Sequence, residues 1–114
     1  MEHELRNRII GATDRGLTIR VAGRETMVSW ETVTGISAGR ARPDRTSEHR
    51  ILVLALEVRL SNREHLFLVG EIDPAWIPLT TNLHVALPEV APFEVWGAAI
   101  TTASAPIELY QRGT

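Results

Sequence analysis

Apolar and polar residues alternate with period two through much of residues 8–69, the pattern of strands with one face buried. The clearest case is ILVLALEVRL (51–60), in which Leu52, Leu54, Leu56, Val58 and Leu60 share one face. Ser61-Asn62-Arg63-Glu64 turns the chain back into HLFLV (65–69), so a long hairpin is predicted. Upstream, RIIGAT (8–13) and LTIRV (17–21) flank Asp14-Arg15-Gly16, a tight-turn sequence in which glycine accepts positive φ. Leu17, Ile19 and Val21 fall on one side of the second segment, Thr18 and Arg20 on the other. Ala22-Gly23-Arg24-Glu25 makes the next turn before TMVSW (26–30), and TVTGISAG (32–39) continues extended. β-Branched residues dominate this region and favour strand over helix.

The period changes at EIDPAWIPLTTNLHVALP (71–88). Asp73 reads as a helix N-cap and Pro74 as the first helical residue. Trp76, Leu79, Leu83 and Leu87 recur at spacings of three and four, as on an amphipathic helix. Pro78 implies either a kink or a later start, because proline lacks the N–H and crowds the preceding turn. Pro88 is the expected stop. FEVWGAAITTASA (93–105) reads as a second short helix or as irregular packing, and PIELYQR (106–112) as a final strand. With no repeat, low-complexity tract or linker, residues 1–114 read as one domain.

Three stretches resemble the pleckstrin-homology-like fold, in particular its small bacterial members of unknown function. TDRGLTIRV (13–21) is similar to their opening turn and strand, VSWETVTGI (28–36) to a strand with a tryptophan and an acidic residue, and DPAWIPLTTNL (73–83) to a capping helix with an early tryptophan. The resemblance implies an α+β fold: a bent antiparallel sheet or partly open barrel, covered by a helix near residues 73–87. A C-terminal strand is additional to that pattern. It also implies a binding scaffold. Phosphoinositide-binding members resemble one another in a basic first hairpin loop, whereas the matching loop here holds only Arg15 beside Asp14.

Composition narrows the chemistry. The chain has no cysteine, so thiol nucleophiles, cysteine metal sites and disulfides are excluded. All twelve basic residues are arginine. Residues 1–50 hold nine basic and seven acidic side chains, residues 51–114 three and seven, an imbalance well short of a nucleic-acid footprint. The N-terminus MEHELRNR lacks the apolar core of a signal peptide, and ILVLAL is far shorter than the ~20 residues that span a bilayer. A cytoplasmic protein is expected.

The main charged feature is GRARPDRTSEHR (39–50), in which Arg40, Arg42, Arg45 and Arg50 form a candidate anion-binding set. Asp44 and Glu48 offset two of them, and no aromatic is interleaved to stack on a base. GISAG (35–39) matches the G-x-S-x-G nucleophile elbow in letters, but no helix follows Ser37 as that motif requires. His3, His49, His65 and His84 form no metal-ligand pair, and no phosphate-binding glycine loop is present. Glu71 and Asp73 read as a helix-start pair rather than as general bases. Trp30 and Trp76 are expected to face the core. Phe93, Val95 and Trp96 either complete that core or offer a partner surface.

The reading is therefore a non-catalytic binding or scaffold domain for protein or peptide partners or for self-association, with no catalytic residue, metal or cofactor assigned. One alternative is an anionic-ligand module (lipid head group or phosphate) using the arginine loop. A small enzyme with a site not recognisable from sequence is the other. No nucleic-acid partner is expected, and nothing in the sequence supports contact with a membrane surface.

Overall fold

The computed structural model describes residues 7–42, 46 and 48–112. The alternating segments form six strands: β1 (Arg8–Ala12), β2 (Gly16–Val21), β3 (Arg24–Ser29), β4 (Val33–Ala41), β5 (Ile51–Leu60) and β6 (Arg63–Gly70). Helices α1 (Trp76–Ala86) and α2 (Phe93–Thr102) follow, then β7 (Ile107–Gln111). The fold is α+β. Among the described residues no helix is long and apolar enough to cross a membrane.

Two hairpins turn on two residues each. Ala22 (φ 53°) with Gly23 (φ 82°), and Ser61 (φ 51°) with Asn62 (φ 65°), all lie in the left-handed region, the geometry whose twist matches that of the flanking strands. Alanine is a poor occupant of that region, because its Cβ crowds the carbonyl. Ala22→Asn, which creates an Asn-Gly turn, is expected to raise the free energy of unfolding by about 0.5–1 kcal/mol in urea titration. Gly16 departs from the expected role. Its φ is not positive, and it opens β2 opposite Ser29 rather than completing a left-handed turn.

The strands divide into two antiparallel sheets, β1-β2-β3 and β6-β5-β4-β7. A single bent sheet or a partly open barrel was the expectation; the structure has two sheets and no closure. The break falls at Trp30–Thr32, a 3₁₀ turn capped by the Ser29 hydroxyl, which accepts the Glu31 N–H at 2.9 Å. There the Trp30 indole N–H donates to the Thr13 carbonyl at 2.8 Å, so the ring is both buried and satisfied.

Asp73 caps a turn that precedes α1 rather than the helix itself: its Oδ1 accepts the Ala75 N–H at 2.8 Å, and Ala75 is the N-cap. Pro78 then falls in the first helical turn, where its missing N–H has no intrahelical partner to lose. Residues 93–102 are helical, which decides the alternative left open by their sequence. β7 pairs antiparallel with β4, Ala38 opposite Ile107, and so becomes an edge of the larger sheet.

One apolar core joins both sheets and both helices. Ile9, Leu17 and Ile19 come from the first sheet, Leu54, Leu56, Val58, Phe67 and Val69 from the second. Trp76, Leu79 and Leu83 face it from α1 and Leu87 from the residue that caps its C-terminus, as their spacing predicts, and Trp96 and Ile100 from α2. Among the described residues no polar or charged side chain is buried.

Candidate functional site

Because the side-chain period of a strand is two, burying one register of the four-stranded sheet turns the other outward. Pairing brings the outward register together row by row. Ala55 lies opposite Ser37 on one side and Leu68 on the other; Glu57 lies opposite Gly35 and Leu66 in the same way. On the β7 side, Ser37 pairs with Glu108 and Gly35 with Gln111. Neither helix lies on this face, whose packing partners α1 and α2 join the core on the other side of the sheet.

The face is unusual in composition. Antiparallel sheets exposed on one side normally turn polar residues to water. Here Leu66 and Leu68 are 57% and 60% exposed, beside Ile51, Val53 and Ala55 of β5. β4 contributes a floor of small residues, Gly35, Ser37 and Gly39. A hollow of about 220 Å³ opens over Gly35, Ser37 and Ala55, walled by Leu66, Glu57, Glu108 and Gln111. Glycine leaves its base open: a Cβ at position 35 would stand 2.7 Å from Glu57 Oε1 and 3.4 Å from Gln111 Oε1, so a larger residue would push the Glu57 carboxylate aside.

Charge is distributed along the strands. Glu57 stands in the Gly35–Leu66 row and Glu108 in the adjacent row, opposite Ser37; among the described residues neither has an ion-pair partner, whereas Arg59 and Glu64 pair at 3.1 Å. β4 and β5 lead into the arginine loop, where Arg42 and Arg50 are exposed and, among the described residues, without an ion pair; Arg50 lies on the α2 side of the sheet, beside Arg40 and Ile100.

Of the predicted anion-binding set, Arg40 and Arg50 line one small cavity of about 60 Å³ with Ser104 and Pro106. Arg40 donates to the Ala103 carbonyl at 3.2 Å, placing its charge where the C-terminal end of α2 is negative. Arg42 does not line that cavity, and Arg45 lies outside the described residues. Of the predicted partner set, Val95 is exposed, but Phe93 and Trp96 turn inward with Trp76. The three rings meet edge to face at centroid separations of 4.9–6.2 Å.

The remaining candidates have local roles. Ser37 stands mid-strand between β5 and β7, with no strand-to-helix turn beneath it. Glu71 Oε1 accepts the Leu52 N–H at 2.8 Å, and Asp73 also approaches Arg8 at 3.9 Å. His65 Nδ1 accepts from the Asn7 amide at 3.2 Å. His84 donates its Nδ1–H to the Val90 carbonyl at 2.6 Å, tying α1 to the link before α2. His84 borders a second hollow, of about 320 Å³, with Thr80, Thr81 and Glu94. His49 is exposed, and His3 lies outside the described residues. Among the described residues no three His, Asp or Glu side chains are grouped as for a metal ion.

Compared with protein-family models, curated proteins and solved structures, the chain finds no match. The open face must therefore be read from its own chemistry. Its signal was present in the run ILVLAL, which is apolar in both registers and so reads as a strand covered on both faces. One cover is the core. The other is not supplied by the described chain.

Proposed function

We propose that this protein is a non-catalytic domain that binds a protein partner on the open face of the four-stranded sheet. The observation behind this reading is the exposure of Leu66 and Leu68 beside the apolar outer register of β5, over the small residues of β4. Contiguous apolar surface of this kind, rimmed by polar groups, marks interaction sites. Covering it returns about 25 cal/mol for each Å² removed from water. A flat floor of glycine, serine and alanine lets a partner approach closely, with Leu66 and Leu68 projecting beside it. The pleckstrin-homology-like resemblance belongs with this proposal as a scaffold of the same kind.

The double variant Leu66→Glu/Leu68→Glu tests it, because both side chains are exposed and their replacement leaves the core intact. Tagged wild type is expected to retain a partner from source-cell extract at moderate salt, and the variant to lose it with unchanged circular dichroism. Equal capture by both would refute the reading. A second reading, an anionic-ligand module, draws on the shared cavity of Arg40 and Arg50. It predicts capture that fails steeply with salt and with Arg50→Ser but survives the leucine variant.

A further inference from the structure

We infer that the cavity between Arg40, Arg50 and the residues after α2 binds a single phosphate group. The inference rests on the anionic-ligand reading above and adds the ligand and the residues that hold it. It is independent of the open sheet face, because the cavity lies on the other side of the sheet, where Ile100 of α2 forms part of its wall.

Strand pairing assembles this cavity. Ile36 and Ala38 turn inward from β4, and Leu54, Leu56 and Val58 from β5, so Arg40 and Arg50 continue the core-side registers of the two strands. Arg40 pairs opposite Leu52, and Arg50 follows directly on the last pair, Ala41 with Ile51. Each register thus changes from aliphatic to guanidinium near the C-terminal end of α2, where Ile100 is the last buried residue of the helix. Pairing of Ala38 with Ile107 brings the chain after α2 alongside, and a Cβ at Gly39 would stand 3.4 Å from Pro106.

The groups gathered there are donors. Arg40 spends one N–H on the Ala103 carbonyl at 3.2 Å, and a guanidinium carries five. Among the described residues Arg50 makes no ion pair or hydrogen bond, and the Ser104 hydroxyl and the N–H groups of Ser104 and Ala105 are also unused. No carboxylate lines the cavity. The negative end of α2 is offset by donors of its own. The Thr101 hydroxyl donates to the Ala98 carbonyl at 2.6 Å, the Thr102 hydroxyl to Ala99 at 3.2 Å and the Ala103 N–H to Ile100 at 3.2 Å.

Two guanidinium groups on one cavity repel each other until an anion lies between them, and their planar forks match phosphate oxygens. Two positive charges with no negative one suit a phosphate, which carries about −1.5 to −2 at pH 7, better than a singly charged carboxylate. The volume of about 60 Å³ exceeds the roughly 30 Å³ share of one water and is far below the roughly 300 Å³ of a small-molecule pocket. It therefore takes the phosphate and leaves the rest of a ligand outside.

Titration of the ¹⁵N-labelled full chain with inorganic phosphate at fixed ionic strength tests this. Saturable shifts of the Ser104 and Ala105 amides and the Arg50 Nε–H are expected, and none with chloride. Arg50→Ser removes an exposed side chain and is expected to weaken binding at least about tenfold with unchanged circular dichroism. Arg24→Ser, the same loss of charge on β3, is expected to stay within about twofold of wild type, since salt screens a distant charge. Phosphatidylcholine vesicles with and without phosphatidic acid identify the source. Sedimentation with the acidic vesicles, reversed by inorganic phosphate, assigns a lipid head group; saturable phosphate binding without sedimentation assigns a soluble ligand. Either result carries the inference.

Equal affinity in Arg50→Ser and Arg24→Ser overturns it, as do shifts spread over every exposed arginine. Saturable binding of citrate but not phosphate, lost in Arg50→Ser, removes the phosphate and leaves the anionic-ligand reading standing. No response to any anion removes both, and leaves the protein-binding reading to the leucine variant.

Discussion

Replacing Trp76 with alanine is expected to lower the free energy of unfolding by about 3–5 kcal/mol, the range for truncating a large buried aromatic. Trp76 opens α1 and is 6% exposed. Its ring stands edge to face against Phe93 (6.0 Å between centroids) and Trp96 (6.2 Å), both on α2. Truncation therefore removes its burial and two aromatic contacts, each worth about 0.5–1.5 kcal/mol beyond area. It also leaves a void where the helices meet. Urea denaturation followed by far-ultraviolet circular dichroism measures the loss independently of the missing fluorophore. Trp76→Phe retains an aromatic edge and is expected to cost clearly less. A Trp76→Ala loss below about 1 kcal/mol would mean that the helix pair collapses around the gap, and that the aromatic group is not the tie described here.

Gly16→Ala is expected to cost about 3 kcal/mol, near the upper end for forcing extra volume into a packed site. A Cβ at Gly16 would stand 2.3 Å from the Val28 carbonyl oxygen and 3.2 Å from its carbon. These are backbone atoms of the paired strand β3, so no side-chain rotation relieves the overlap, and the β2–β3 register must give. The neighbouring strand β1 supplies a control. A Cβ at Gly11 would meet Thr18 at 3.9 Å, an ordinary contact, so Gly11→Ala is expected to stay within about 0.5 kcal/mol of wild type or to stabilise slightly by restricting the unfolded chain. Parallel urea titrations of the two variants make the comparison. Equal effects would show that backbone freedom, rather than close approach, decides both sites.

Gly16 also shows where sequence and structure part. A glycine after Asp-Arg reads naturally as a turn residue, since turns are where glycine is most often needed. The constraint here comes from Val28, twelve positions away, whose carbonyl is fixed by strand pairing. Asp73 differs in a similar way. The residue type identified a cap, but the fold uses it one turn early, because Ala75 rather than Asp73 provides the first helical carbonyl. Arg40 read as a free cation and stands at the end of a helix more than fifty residues downstream.

Elements governed by neighbours close in sequence were legible from the chain alone. The β5–β6 hairpin is one, since its alternating leucines and two-residue turn specify it locally. The inward face of α1 is another, because Trp76, Leu79, Leu83 and Leu87 follow the helical repeat. Tertiary structure alone decided how the strands divide between two sheets, which strand receives β7, and which face lies open. Those outcomes depend on pairings such as Ala38 with Ile107, between residues whose proximity no local pattern encodes. Periodicity identifies two registers on β5; only the packed core determines which is buried and leaves the other, apolar as well, facing outward.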